Sequence, residues 1–339
     1  MNKIFLDPTY SNYEKNNLFN AYDTVLNRDD TLEPFIKLKL DLEEQGFQVY
    51  TYDFRKIFTD EELAGSGYIS LGNMQNLEDI KKYNLRPLAF FIMEPPLVLI
   101  KPYKNLAYLS NLFEKVFIHN LEGDCYSLQG VKVESLRKFY WPQPYPGVVN
   151  KYWEKSDRKL RVVIINGHHR PKRMLKKELY SDRIRWGVKL NEYIPVDLFG
   201  RGWNKLLSKA SLWTPYIFNY SRIKKIYRGP CASKLEVMSQ YEFALCFENL
   251  KMNGYITEKI FDCFYSGVIP VYLGGEDITK WIPSKCFIDL RNFKSAEVLA
   301  KHLKALGKIE KQHYRENAKK FLESSEGQKY VSLYKMIFL

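Results

Sequence analysis

Between residues 160 and 275 the chain repeats one pattern, a short, mostly apolar run followed by a longer segment with helical spacing. The runs are "LRVVII" (160–165), "PVDLFGRGW" (195–203), "FALCF" (243–247) and "VIPVYLGG" (268–275), and between them stand "LKKELYSDRIRWGVKLNEY", "ASKLEVMSQY" and "TEKIFDCFYSG". A run that is apolar on both alternating sides has no broad solvent face, so it suits a strand covered on both sides. Such strands alternating with helices predict a parallel, doubly wound α/β sheet. Ligands of these sheets bind beyond the carboxyl ends of the strands.

The first half gives a less regular version of the same signal. "GFQVYTYDF" (46–54) alternates as a strand, "LRPLAFFIMEPP" (85–96) is an apolar strand stopped by two prolines, and "LAYLSNLFEKVFIHN" (106–120) reads as a helix running into a strand. The clearest break follows, where Pro142, Pro144, Pro146 and Gly147 crowd together and no period survives. With 339 residues, two domains are expected. We place them at 1–150 and 156–339, with a linker at about 141–155. After residue 296 the chain turns basic and helical, and its last helix is expected either to pack back on the first domain or to lie against an anionic membrane.

The formal charge of +13 calls for an anionic partner, and 15% aromatic residues add the option of stacking on bases or sugars. No RNP or KH signature accompanies them, so an RNA-binding protein is the runner-up class. No stretch reaches the roughly 18 apolar residues of a membrane span. The five cysteines lack C-x-x-C spacing. Both features predict a cytoplasmic protein, peripheral at the membrane at most.

The chemistry concentrates in "FENLKMNGYITEKIFDCFYSGVIPVYLGG" (247–275). Thr257 is placed to cap a helix that Gly267 ends. Lys259 in its first turn opposes the helix dipole unless an anion sits there. Glu258 suits the dipole and offers its carboxylate to a cis-diol such as a ribose. Together these suit a nucleoside diphosphate. Asn249 is read as a turn former or a donor contact, Tyr255 as core packing or a contact to guanosine or sugar, and Glu248 as structural or close to the transferred sugar. His168 and His169 point apart with no third ligand in view, and serve better as loop residues near a substrate than as a metal site.

Phe247-Glu248-Asn249, Tyr255-Ile256-Thr257-Glu258-Lys259 and Gly267-Val268-Ile269-Pro270-Val271 resemble the α-1,3-fucosyltransferases, glycosyltransferase family 10. "RVVIINGHHR", "ELYSDRIRW" and "DLFGRGW" extend the resemblance, with Ile165 where the family has serine and Leu250 where a serine commonly follows F-E-N. The resemblance implies a GT-B fold, two Rossmann-like domains facing a cleft, with the acceptor domain first and the GDP-sugar domain second. It places a donor contact at Asn166, a phosphate-binding arginine at Arg183, with Arg185 as the alternative, and the general base at Glu94 in "FFIMEPPLVLIKPY". The implied reaction is inverting transfer of L-fucose from GDP-L-fucose to a hydroxyl, O3 foremost, of an N-acetylglucosamine- or glucose-containing glycan; another GDP-sugar is the alternative donor. No D-x-D is present, so no metal or cofactor is expected, and leaving-group charge falls to Lys259, Arg183 and the helix end.

Overall fold

The computed structural model describes residues 2–171, 176–205 and 213–339. It divides into two compact units, Met1–Pro144 together with Lys329–Leu339, and Tyr145–Gln328. Each is built on one six-stranded, wholly parallel sheet.

In the first unit the strands are β1 (Lys3–Pro8), β2 (Gln48–Thr51), β3 (Gly67–Leu71), β4 (Arg86–Phe91), β5 (Lys115–Ile118) and β6 (Leu136–Lys138), in the spatial order β2-β1-β3-β4-β5-β6. Adjacent residues of a strand feed opposite faces. Ile4, Leu6, Ile69, Leu71, Ala89, Phe91 and Phe117 pack into one buried cluster, while Phe5, Tyr68, Phe90, Ile92, Val116 and Ile118 pack into another. Helix Glu33–Glu44 joins the first cluster through Phe35, Leu38 and Leu42, and the last helix, Leu333–Phe338, joins it through Leu333 and Ile337.

The strand expected over 46–54 is shorter than its alternation suggested. Pairing with β1 ends at Leu6 and Thr51, and Tyr52–Ile57 winds into a 3₁₀ helix. The reason is a distant partner: the Tyr52 ring turns inward and its hydroxyl donates to Asp79 Oδ2, 27 residues on, at 2.9 Å.

The second unit holds β7 (Lys159–Ile165), β8 (Val196–Phe199), β9 (Tyr227–Gly229), β10 (Tyr241–Phe247), β11 (Ile269–Leu273) and β12 (Ile288–Asp289), ordered β12-β11-β10-β7-β8-β9. From β7 the chain winds outward through β8 and β9, then jumps back to β10 on the other side of β7. The loops after β7 and β10 therefore leave neighbouring strands in opposite directions, which opens a crevice at their carboxyl ends. Helices Ala296–Ala305 and Lys308–Glu323 complete this unit.

The helix expected from residue 175 begins instead at Tyr180 and ends at Leu190; residues 172–175 lie outside the described residues. The preceding backbone is spent on another partner. Glu178 bridges Leu250, the Leu179 amide donates to Asn249 O and the Lys251 amide to Lys177 O. The Glu178 carboxylate then accepts the Ser181 amide at 3.0 Å, which starts the helix.

Candidate functional site

The crevice after β7 and β10 is where the sequence-predicted donor residues gather. β10 continues one residue past its end, because the Glu248 amide still donates to Leu273 O at 2.9 Å. The Glu248 side chain is fully buried and turns forward across the loop, accepting the Thr257 amide at 2.9 Å and the Thr257 hydroxyl at 2.8 Å. Helix Glu258–Ser266 is thereby fastened to the end of the strand. It ends at Gly267, whose φ of +68° is the left-handed conformation that an L side chain disfavours.

This staple corrects the capping role expected of Thr257. Its hydroxyl donates to Glu248 and accepts from Lys259 Nζ at 2.8 Å. Among the described residues no side chain caps the helix, so its first-turn N–H groups carry their partial positive charge into the crevice.

Lys259 sits among acceptors, with Nζ 3.4 Å from Glu248 Oε2 and 3.3 Å from Glu258 Oε1. Burial pushes the Glu248 carboxyl above its ordinary value, although Lys259 and the Thr257 hydrogen bonds pull the other way. For Glu258 burial also acts upward, but Lys259 and then Lys234 outweigh it and hold the carboxyl below its usual range. Glu258 is thus an ionised acceptor at the mouth of the crevice, and Glu248 is a structural clamp. No substrate reaches a carboxylate so enclosed.

Arg183 projects from its helix beneath the loop and is 4% exposed. Its Nη2 donates to Phe247 O at 3.1 Å and Glu248 O at 3.3 Å, and stands 3.5 Å from Asn249 Oδ1. Its Nε is buried without a hydrogen-bond partner among the described residues, and burial draws the guanidinium below its ordinary pKa. Arg183 therefore holds the loop from below and places a buried positive charge under Asn249. Arg185, the alternative, is exposed and paired at 2.6 Å with Asp182. Tyr255 is 1% exposed and packs in the interior, with its hydroxyl 3.5 Å from Asn249 Nδ2. Of the two roles open to it, packing is the one its burial satisfies.

On the other side of the crevice Asn166 follows β7. Its amide donates to Phe199 O at 3.0 Å, and its carbonyl accepts from Trp203 Nε1 at 2.6 Å. Gly200 makes this possible: a Cβ there would stand 1.9 Å from Asn166 O, and its φ of +140° suits no other residue. Asn166, Lys234, Met238, Cys246, Glu258, Lys259 and Asp262 line a shared pocket of about 50 Å³. Lys234 and Asp262 were missed, because "ASKLEVMSQY" and "IFDCF" carry no motif beyond helical spacing.

The histidines separate. His168 is buried in a stack, its ring 4.7 Å from Trp203 and 3.9 Å from Tyr216, and burial draws its pKa down to about 4. It is a neutral packing residue, which corrects its expected place beside a substrate. His169 is exposed. Among the described residues no group of three or more His, Cys, Asp or Glu is arranged to hold a metal ion. No described helix is long and apolar enough to cross a membrane.

Glu94 belongs to the first unit. It lies three residues past the carboxyl end of β4 and is half-buried, with its carbonyl accepting from the Tyr103 hydroxyl at 2.9 Å. The Tyr10 hydroxyl is raised by burial and then by the nearby Glu94 charge. Glu94 thus stands at the carboxyl-end edge of the sheet, the edge at which ligands of parallel sheets bind. Asp7, at the end of β1 on the same edge, differs: it is 3% exposed and accepts from Tyr68, Asn73 and Asn76, so its bonding is taken up internally.

Two parallel, doubly wound sheets in one chain define the GT-B architecture of glycosyltransferases. An α-glucosyltransferase solved with UDP and a 13-mer DNA containing a HMU base superposes with a TM-score of 0.60 at 12% identity, covering 98% of this chain and 97% of that one. Residues 174–321 match the model of the glycosyltransferase family 10 (fucosyltransferase) C-terminal domain. The chain is 40% identical over 74 residues to α-(1,3)-fucosyltransferase FucT of Helicobacter pylori, covering 22% of this chain and 16% of the relative. It is 33% identical over 129 residues to α-(1,4)-fucosyltransferase of Arabidopsis thaliana, covering 37% and 31%. The matched stretches thus span less than a third of these relatives' own lengths.

Proposed function

We propose that the protein is an inverting fucosyltransferase that moves L-fucose from GDP-L-fucose to a hydroxyl, O3 foremost, of an N-acetylglucosamine- or glucose-containing glycan. The observation that carries this reading is the pocket at the switch point of the second sheet, where an ionised Glu258, Lys259, Asn166 and an uncapped helix end converge. A ribosyl diphosphate needs a carboxylate for its cis-diol and positive charge for its phosphates, and both are present. In the transfer the acceptor oxygen attacks C1, the bond from C1 to the β-phosphate oxygen breaks, and GDP leaves with the bonding pair. Lys259 and the helix end take up that charge, with Arg183 adding buried charge beneath the loop. Glu94 takes the acceptor proton.

High aromatic content, which pointed to RNA as an alternative partner, has a different explanation in the fold. Tyr52, Tyr68, Tyr216, Tyr255, Tyr265 and Tyr272 are all among the largest fully buried side chains. They fill cores rather than offering stacking platforms.

GDP at a hundred times its Kd is expected to stabilise the protein by about 2.7 kcal/mol through mass action. Lys259→Ala should lose most of the resulting rise in Tm, and an equal rise in the mutant would take Lys259 out of the site. A donor panel of GDP-fucose and GDP-mannose, read by GDP release, tests the sugar. Because cationic groups occupy the leaving-group position, turnover in excess EDTA should match turnover without it; a loss restored by Mn²⁺ would reveal a metal requirement.

The exposed lysines Lys301, Lys304, Lys308 and Lys320 of the C-terminal helices support weak peripheral binding to anionic membranes from the cytoplasmic side. Cosedimentation with phosphatidylserine vesicles should occur in low salt and disappear at 0.5 M NaCl. Binding indifferent to salt, or none at all, would remove the membrane from its partners.

A further inference from the structure

Two residues of the pocket fall outside the segments 247–249, 255–259 and 267–271 that carry the resemblance. Lys234 opens the short helix Lys234–Met238, whose first turn is fixed by Ser233 accepting the Glu236 amide at 3.0 Å. Asp262 stands four residues after Glu258 on helix Glu258–Ser266, one turn further along the same face. The Lys234 ammonium donates to Asp262 Oδ2, and the two side chains are only 20% and 12% exposed. Both line the pocket with Glu258, Lys259 and Asn166.

A pair so enclosed is a poor device for stability, because desolvating both charges offsets most of their attraction. It is a good device for fixing a flexible lysine stem. A free lysine spreads over many rotamers, whereas this one is held at the pocket wall. Glu258 reports the result, since Lys234 acts with Lys259 to hold its carboxyl ionised against the upward pull of burial.

We propose that Lys234, anchored by Asp262, is a second donor-binding cation, which with Lys259 recognises the anionic diphosphate of the nucleotide. The inference rests on reading this pocket as the nucleotide site. It goes beyond that reading by adding a residue pair that the motifs omit and by stating which part of the ligand it senses.

The test is calorimetric titration of GDP, GMP and guanosine into wild type, the double variant Lys234→Gln/Asp262→Asn and the single variant Asp262→Asn. The double variant replaces the pair by neutral groups of similar shape and leaves no charge orphaned. It should bind GDP about tenfold more weakly, a difference of about 1.4 kcal/mol. GMP should lose less, and guanosine nothing. Asp262→Asn keeps the ammonium but frees it, so its loss should be smaller and again confined to the phosphorylated ligands. Unchanged GDP affinity in both variants would overturn the inference while leaving the pocket assignment intact. So would equal losses for GDP and guanosine, which would mark general damage to the pocket. Absence of GDP binding by wild type would instead overturn the pocket assignment itself.

Discussion

Glu94→Gln is expected to reduce kcat by roughly 10²–10⁴-fold, the usual contribution of a general base, and to leave GDP affinity unchanged. The separation of effects follows from placement. Glu94 lies past β4 in the first unit, whereas Asn166, Glu258 and Lys259 line a pocket of the second. The acidic limb of the kcat profile should disappear in the mutant, because that limb reports protonation of the base in the ternary complex. Near-normal turnover would remove Glu94 from the chemistry. Glu248 could not then inherit the role, since it is fully buried with both oxygens engaged by Thr257.

The largest loss of stability is expected from Glu248→Ala. It strips a buried amide and a buried hydroxyl of Thr257 of their acceptor and takes from Lys259 one of its two carboxylates. Breaking a buried, hydrogen-bonded ion pair from one side costs about 3–5 kcal/mol, which in a unit of this size lowers Tm by roughly 10 °C. GDP binding should be lost as well, because the staple holds helix Glu258–Ser266 against β10. Glu248→Gln keeps an acceptor for Thr257 and should cost less. The folded carboxyl is raised above its unfolded value, so this group favours folding below the unfolded pKa and loses that contribution as pH rises through the folded one. Glu248→Gln should therefore resemble wild type more closely in acid than at neutral pH. Thermal melts across that range check it, and an unchanged Tm for Glu248→Ala would show that the staple does not hold the helix.

Much of the second sheet was legible from periodicity. "FALCF" and "VIPVYLGG" are apolar at nearly every position and became β10 and β11, the first buried at every position but Glu242 and the second buried throughout. Gly267 ended its helix where a left-handed residue was needed. Where reading failed, a non-local partner had overridden a local preference. The helix expected from residue 175 waits until Tyr180 because 177–179 pair with 249–251, some seventy residues away. Thr257 has an N-cap's residue type, yet its hydroxyl is claimed by a buried carboxylate. A propensity worth about 1 kcal/mol gives way readily to such a contact.

Residue order by itself therefore determined the α/β layering, the strand-to-helix turn at 247–258 and the charged and polar residue types gathered in that turn. These are local properties, set by side-chain period and by the backbone preferences of Gly, Pro and Thr. Tertiary structure alone decided which charged groups face the pocket and which are spent on the scaffold. Glu248 and Arg183 turned inward to clamp the loop, Glu258 and Lys259 stayed at its mouth, and Lys234 was brought to their side by Asp262. The physical reason is that burial and ion pairing depend on distances through space between residues far apart in sequence, as Arg183 and Glu248 are at 65 positions, which no local pattern of residues encodes.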